Sequence, residues 1–166
     1  TPQIAKVVER CLALTFIPWL SKFRYGKHQY VNTAGRSHRD VLAANVCSCL
    51  LLMEGGGAVS LYCSDVSGAF DRVSRDRVGE KIRASELPCA LVGLLKSWLE
   101  DRTSKVIVAG ATSDDAVLSN SVFQGTVLGP PLWNVHYHDA NISVHSVGYT
   151  ETVFAADFNC WKGMRD

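Results

Sequence analysis

Apolar side chains recur at helical spacing in the first third of the chain. Between residues 3 and 23 this pattern predicts one helix, bent or restarted at Pro18. A second helix is predicted to begin after Ser37, whose hydroxyl can cap it, and to end at Glu54, which three consecutive glycines follow. The intervening segment, residues 25–35, mixes polar residues and glycine without periodicity, so it is predicted to be a loop.

Strand and helix patterns alternate through the rest of the chain. Residues 58–64 (AVSLYCS) suit a strand that is buried on both faces, and Asp65 closes it. Further elements are predicted as helices at 74–85, 88–100 and 132–142, a β-hairpin of 105–109 with 116–122, and short apolar runs at 144–149 and 152–155. Strands interleaved with helices indicate a layered α/β or α+β domain.

Composition narrows the class of protein. The chain has 166 residues, 47% of them hydrophobic, which is enough for one domain with a real core. The net charge of +1 gives no general attraction to nucleic acid, so any polyanion binding must come from a local patch. The longest apolar stretch, residues 41–53, is too short to cross a bilayer, and the first residues show no pattern typical of a secretory signal.

Cysteine and histidine spacings do not suggest a metal site. The six cysteines form no CxxC pair and no Cys/His zinc pattern. Most have apolar neighbours, which favours buried, reduced thiols and a reducing compartment. His136 and His138 are two residues apart, so on a helix they point to different faces.

Three segments could carry chemistry, although each has an ordinary structural explanation when taken alone. Asp65 ends a buried strand, where it could hold Mg²⁺ or accept hydrogen bonds in a turn. Gln124 and Gly125 precede a helix that starts at prolines, and glycine there allows a ligand to approach the backbone. Asp157 lies at a tight turn between two apolar segments, where Asp is common for conformational reasons.

In this order the three segments resemble the central palm motifs of reverse transcriptases, especially those of non-LTR retrotransposons. The first motif, Asp, three variable residues and Ala-Phe-Asp, is matched by residues 65–71. The second is matched by Gln124, Gly125, Leu128, Gly129, Pro130, Leu132 and Trp133. Upstream, Gln29-Tyr30, Gly35-Arg36-Ser37 and Asp40 resemble the fingers segment of the same family.

The resemblance implies a fold and a domain organisation. The expected fold is α+β, with a palm-type antiparallel sheet packed on helices and part of a helical fingers subdomain. Residues 1–57 would be partial fingers and residues 58–166 the palm. The chain would stop before the primer grip and the thumb, so both ends are expected to be truncated.

The resemblance also implies roles for individual residues. Palm carboxylates of the family hold two Mg²⁺ ions during nucleotidyl transfer to an RNA- or DNA-templated primer. Asp65 and Asp157 would be catalytic metal ligands, and Val66 would offer its backbone carbonyl. The substrate-binding residues would be Phe70 as a steric gate beneath the sugar, Gln124 and Gly125 at the template and nucleotide pocket, and Arg36 at the dNTP triphosphate.

One position departs from the family pattern. The third motif is expected to read aromatic-Ala-Asp-Asp, whereas the chain has Phe154-Ala155-Ala156-Asp157. Because Ala156 replaces a metal-binding aspartate, little or no polymerase activity is expected, although water could replace the missing ligand. Natural decay and deliberate replacement would both produce this alanine.

Two hypotheses about function follow. The first is an RNA-directed DNA polymerase domain that acts on template-primer and dNTP but is impaired. The alternative is a non-enzymatic structural or binding subunit, a retrotransposon fragment retained among the protein subunits of a larger complex. An intracellular location is expected for both, nuclear or cytoplasmic for a retroelement and organellar for a fragment that has acquired a new role.

Overall fold

The structure is a computed structural model, and it describes residues 3–164 except residues 24, 32 and 34. Its described part contains helices and short antiparallel sheets, which confirms the α+β class. The helices are α1 (Gln3–Lys22), α2 (His38–Glu54), α3 (Arg75–Ala84), α4 (Cys89–Leu99) and α5 (Gly129–Ser146), with a 3₁₀ turn at Ala69–Arg72. The strands are β1 (Ala58–Asp65), β2 (Thr103–Ser104), β3 (Ile107–Val108), β4 (Ala111–Thr112), β5 (Ala116–Val117), β6 (Thr150–Phe154) and β7 (Asp157–Met164).

The chain divides into two compact units. The first unit comprises Thr1–Trp19 and Phe70–His136, and the second unit comprises Leu20–Ala69 and Tyr137–Asp166. These units group residues by contact, whereas the expected fingers and palm divide the chain at residue 57. The fingers and palm assignment therefore stays a prediction.

The second unit is built on a three-stranded antiparallel sheet in the order β1-β7-β6, with α2 packed against all three strands. Helix α2 begins where the sequence predicts, because Ser37 and Asp40 form a reciprocal capping box. The hydrogen bonds from Ser37 lower the pKa of the Asp40 carboxyl. The hydroxyl of Thr152 in β6 donates a 2.6 Å hydrogen bond to Asn45 Oδ1, which ties the helix to the sheet.

Strand β1 corrects one expectation. Its side chains were expected to be buried on both faces, yet Leu61 and Tyr62 are 52% and 58% exposed. The reason is topological, since β1 is an edge strand that pairs with β7 alone within the described sheet. The apolar run of residues 58–64 is typical of a central strand, and the edge position could not be read from it.

In the first unit α3 and α4 pack against each other and bury Val78, Ile82, Leu95 and Leu99. Both helices confirm the sequence prediction, with Ser74 capping α3 and Pro88 preceding α4. The predicted pairing of residues 105–109 with 116–122 was wrong: β3 pairs with β4, which lies in the segment expected to be the loop, and β5 pairs with β2. The turn between β3 and β4 lies at Ala109-Gly110. The strand expected at 116–122 is therefore limited to β5.

Other differences concern the chain after residue 128 and the cysteines. Helix α5 starts at Gly129 and runs to Ser146, so the apolar run at 144–149 begins inside a helix and is not a strand. Helix α1 continues through Pro18, so no restart occurs there. Among the six cysteines, all of which the structure describes, Cys160 alone is buried; the expectation of general burial was wrong, although none forms a disulfide. No helix in the described part is long and apolar enough to span a membrane.

Candidate active site

The two acidic motif residues of the second unit meet at one end of its sheet. The β1–β7 register ends with Asp65 opposite Asp157, and directly opposed Cα atoms in antiparallel strands lie about 4.5–5.5 Å apart. Both side chains are exposed. Beyond this pair, the Val66 N–H donates to the Ala156 carbonyl at 3.3 Å, so four motif residues form the end of the sheet.

An open cavity of about 520 Å³ lies beside this end of the sheet. It is bordered by residues of α2, β1 and the β6–β7 hairpin, namely His38, Val41, Leu42, Asn45, Cys63, Ser64, Asp65, Phe154, Asp157 and Asn159. The two carboxylates therefore face a space that a ligand could enter. Carboxylate oxygens on an exposed rim are the donors that a hard, partly hydrated cation takes.

The donor set matches Mg²⁺ in part. Asp65 and Asp157 offer carboxylate oxygens and Val66 offers a backbone carbonyl, whereas Ala156 contributes a methyl group at the hairpin turn. Its own carbonyl already accepts the Val66 N–H. The residues present could hold a divalent ion, with one protein ligand fewer than the resembled motif provides.

The turn that carries Ala156 is held by the side chain of Gln29. Gln29 is 3% exposed, and its amide Nε2 donates to the Ala155 carbonyl at 3.1 Å. Its Oε1 accepts the Ala155 N–H at 2.8 Å, so one side chain pairs with both polar groups of that residue. Ala155 has φ +56°, a left-handed conformation that non-glycine residues seldom adopt. Gln29 thereby positions a strained turn between Phe154 and Asp157.

Arg36 also lies in the second unit, where it braces the loop that contains Gln29. Its Nη1 donates to the carbonyls of Lys27 at 2.7 Å and Gln29 at 3.0 Å, and the guanidinium carbon lies 4.9 Å from the Tyr30 ring centroid. Both hydrogen bonds use Nη1, and arginine has five N–H donors. Contact with a triphosphate stays a prediction, and the structure adds a bracing role.

The remaining candidate residues, Phe70, Gln124 and Gly125, lie in the first unit. The Phe70 ring meets Trp133 edge to face with centroids 6.3 Å apart, and the Phe70 carbonyl accepts the Val122 N–H at 2.9 Å. Within the first unit, Phe70 of the first motif is thus hydrogen-bonded to Val122, which lies just before the second motif. Gln124 and Gly125 are exposed, and Gly125 has φ +79°, which favours glycine at this turn.

A close approach explains the second glycine of this loop. A Cβ at Gly129 would lie 2.8 Å from Thr126 Oγ1 and 3.2 Å from the Phe123 carbonyl oxygen. Thr126 Oγ1 donates to that carbonyl at 2.6 Å and accepts the Gly129 N–H at 3.2 Å. The turn before α5 closes on itself, so any side chain at Gly129 would push its hydrogen-bonded partners apart.

Glu9 supports the same loop, and nothing in its local sequence indicated this. Glu9 is 2% exposed, and its Oε2 accepts the Val127 N–H at 2.6 Å and the Leu128 N–H at 3.3 Å. A buried carboxylate that accepts two backbone N–H groups makes charge-assisted hydrogen bonds. Glu9 therefore anchors the loop of Gln124 and Gly125 within the first unit.

We expect Glu9→Ala to lower the free energy of unfolding by about 2–4 kcal/mol, because the half-buried N–H of Val127 and the buried N–H of Leu128 lose their acceptor. Amide hydrogen exchange at Val127 and Leu128 should accelerate beyond the change in overall stability. Arg10→Ala, at an exposed position of the same helix, is the matched control. Unchanged protection of these two amides in Glu9→Ala would show that the carboxylate does not hold the loop.

The comparisons with known proteins agree with the motifs. No protein-family model matches the chain. The chain is 32% identical over 139 residues to a probable RNA-directed DNA polymerase from transposon X-element of Drosophila melanogaster, covering 83% of the chain and 15% of that protein. It is 32% identical over 145 residues to the RNA-directed DNA polymerase from mobile element jockey of the same organism, with 83% and 15% covered. A probable RNA-directed DNA polymerase from transposon BS, also of Drosophila melanogaster, is 40% identical over 82 residues, with 47% and 9% covered.

These relatives, together with the motifs, identify the chain as a reverse transcriptase-like domain of the non-LTR retrotransposon family. The chain spans about 15% of the length of the X-element and jockey proteins.

Proposed function

We propose that this chain is part of the palm and fingers of an RNA-directed DNA polymerase whose metal site is impaired by Ala156. The observation that carries the proposal is the β1–β7 register, which opposes Asp65 and Asp157 beside an open cavity. Two carboxylates from separate motifs at one exposed sheet end are suited to holding divalent cations. The relatives' names support the polymerase class.

In this proposal Asp65, Asp157 and the Val66 carbonyl hold Mg²⁺. The bound ions would supply activation of the primer 3′-hydroxyl and neutralisation of triphosphate charge. Phe70 acts as a gate against a ribose 2′-hydroxyl, and Gln124 and Gly125 line the template and nucleotide pocket.

A backbone hydrogen bond holds Val66 in the proposed site, and Arg36 adds a contact to the triphosphate. The N–H of Val66, bonded to the Ala156 carbonyl, fixes the residue whose own carbonyl is the proposed third ligand. Arg36 contacts the triphosphate with N–H groups other than those of Nη1, while Nη1 holds the loop. Template-primer and dNTP are the proposed partners.

Ala156 should impair this function strongly. Changes in residues that merely support metal ligands reduce affinity or activity by about 10- to 100-fold, so loss of a direct ligand should reduce it at least as much. The fold does not depend on an acid at residue 156, because the neighbouring turn is held by backbone groups of Ala155 and Ala156.

The presence of alanine at residue 156, in a fold that does not depend on an acid there, also favours one alternative function. A chain that keeps the fold while losing a metal ligand suits a non-enzymatic structural or binding subunit, derived from a retrotransposon fragment and retained in a larger protein complex. Its near-neutral charge of +1 is compatible with protein partners.

Primer extension on an RNA template with Mg²⁺ distinguishes the two functions. The segment replaces its equivalent in the jockey polymerase, once unchanged and once with Ala156→Asp. We expect no extension with Ala156 and clear extension with aspartate, a difference of at least about 100-fold. Asp65→Asn in the restored chimera is the control and should abolish extension again.

The outcomes separate a damaged enzyme from a structural fragment. Recovery by aspartate supports the polymerase proposal. A chimera that folds, as judged by circular dichroism and template-primer binding, yet stays silent with aspartate would overturn it and leave the structural function.

A further inference from the structure

A second group of possible metal ligands lies in the second unit and belongs to none of the polymerase motifs. It consists of His28, His145 and Glu151, each of which offers one ligand atom within 4.8 Å of the other two. His145 Nε2 and Glu151 Oε1 are 3.5 Å apart, and the two imidazole centroids are 4.8 Å apart. Within the described part of the chain, no other group of three His, Cys, Asp or Glu residues meets this criterion.

Three different elements hold these side chains. His28 lies in the loop after α1, and its carbonyl accepts the Val153 N–H of β6 at 2.9 Å. His145 lies in the last turn of α5, whose end is fixed by the Gly148 N–H donating to the His145 carbonyl at 3.0 Å. Glu151 is the second residue of β6, paired with Cys160 of β7. The cluster is thus built on ordered backbone.

The Glu151 side chain points to a missing partner. The residue is 2% exposed, and neither carboxylate oxygen has a hydrogen-bond partner. Burial raises the pKa of this carboxyl to about 7. A buried carboxylate without hydrogen bonds is unfavourable unless a cation or a metal ion compensates it, and the Nε2 atom of the half-exposed His145 lies 3.5 Å from its Oε1 atom.

The His28 imidazole is suited to a metal rather than to carrying a proton. Burial, with repulsion from His145, Lys27 and Arg36, lowers the pKa of His28 to about 4. His28 is therefore neutral at physiological pH, the form that donates a lone pair to a metal. The exposed edge of His145 leaves a route for an ion to enter.

We propose that His28, His145 and Glu151 bind a divalent transition-metal ion of the Zn²⁺ class, with water as the fourth ligand. Two imidazoles and one carboxylate match a three-ligand zinc site, whereas Mg²⁺ prefers oxygen donors alone. Tetrahedral Zn²⁺ with ligands at about 2.0–2.1 Å requires donor atoms roughly 3.3 Å apart, close to the observed separation of His145 and Glu151. The His28 donor atom lies within 4.8 Å of the other two.

Titration of the reduced, metal-free chain with Zn²⁺ alone tests this site. We expect the first equivalent of Zn²⁺ to bind at this site, and His145→Ala and Glu151→Gln each to weaken its binding at least about 10-fold. Glu54→Gln, which changes an exposed carboxylate at the end of α2, is the matched control and should bind like the unchanged chain. His145 is 43% exposed, so its replacement is not expected to unfold the protein.

Histidine-ring NMR distinguishes this site from the cysteine thiols, which also bind Zn²⁺. Below one equivalent of Zn²⁺, the ring nitrogen signals of His28 and His145 should shift while those of His136 stay in place. Equal affinity in all three variants, or Zn²⁺ shifts confined to cysteine signals, would overturn the proposal and leave an ordinary His145–Glu151 ion pair.

Discussion

Replacing Ala156 by aspartate in this chain should raise its affinity for Mn²⁺, a paramagnetic substitute for Mg²⁺, by at least about 10-fold. Asp65 and Asp157 are already opposed across β1 and β7, and residue 156 precedes the second of them at the hairpin turn. A third carboxylate would replace a water in the coordination shell and add a charge at short range. Electron paramagnetic resonance of free Mn²⁺ measures the affinity directly.

The control for charge is Ala156→Asn, which offers a neutral amide oxygen and should raise the affinity much less. Without metal, the aspartate variant should be no more stable than the unchanged chain, since three clustered carboxylates repel one another. Equal Mn²⁺ affinity for the alanine, asparagine and aspartate variants would mean that the sheet end is not a metal site. This binding test needs no partner domain, so it stands apart from the primer-extension test.

The elements that could be predicted are those specified by short-range signals. Helix α2 begins and ends as expected because the capping serine and the glycine triplet act within one turn of the helix. Strand β7 carried no such signal, since Asp157–Met164 mixes polar and apolar residues and gains its partners from β1 and β6. Whether a strand lies at the edge or in the centre of a sheet depends on pairing with residues far away in sequence. The local sequence of β1 therefore could not show that its side chains are exposed.

The candidate active site shows the same division. The motifs could name Asp65 and Asp157, but the register that opposes them depends on pairing between distant strands. The buried acid of the first unit and the second group of possible metal ligands had no sequence motif. Glu9 interrupts an apolar helix pattern, and His28, His145 and Glu151 come from a loop, a helix and a strand. His136 and His138 are neighbours in sequence, whereas the two histidines of the structural cluster, His28 and His145, are far apart in sequence.

Gln29→Met should disturb the candidate active site through the turn that precedes Asp157. Methionine keeps the length of the buried side chain but removes the acceptor at 2.8 Å and the donor at 3.1 Å that pair with Ala155. Ala155 would lose both of these hydrogen bonds, which should lower the free energy of unfolding by about 1–3 kcal/mol, since a typical hydrogen bond contributes about 0.5–1.5 kcal/mol. The left-handed φ of Ala155 would lose its support as well.

Gln29→Met should affect the metal ligands because Ala155 lies close to Asp157 in sequence. Ala155 is followed directly by Ala156, whose carbonyl bonds Val66, and then by Asp157. A turn that relaxes would move Asp157 relative to Asp65, so Gln29→Met in the Ala156→Asp chain should lose most of the Mn²⁺ affinity gained. Gln29→Glu separates the two hydrogen bonds, since it keeps the acceptor for the Ala155 N–H and removes the donor. If Gln29→Met lowered stability while Mn²⁺ affinity stayed unchanged, Gln29 would support the fold without positioning the carboxylates.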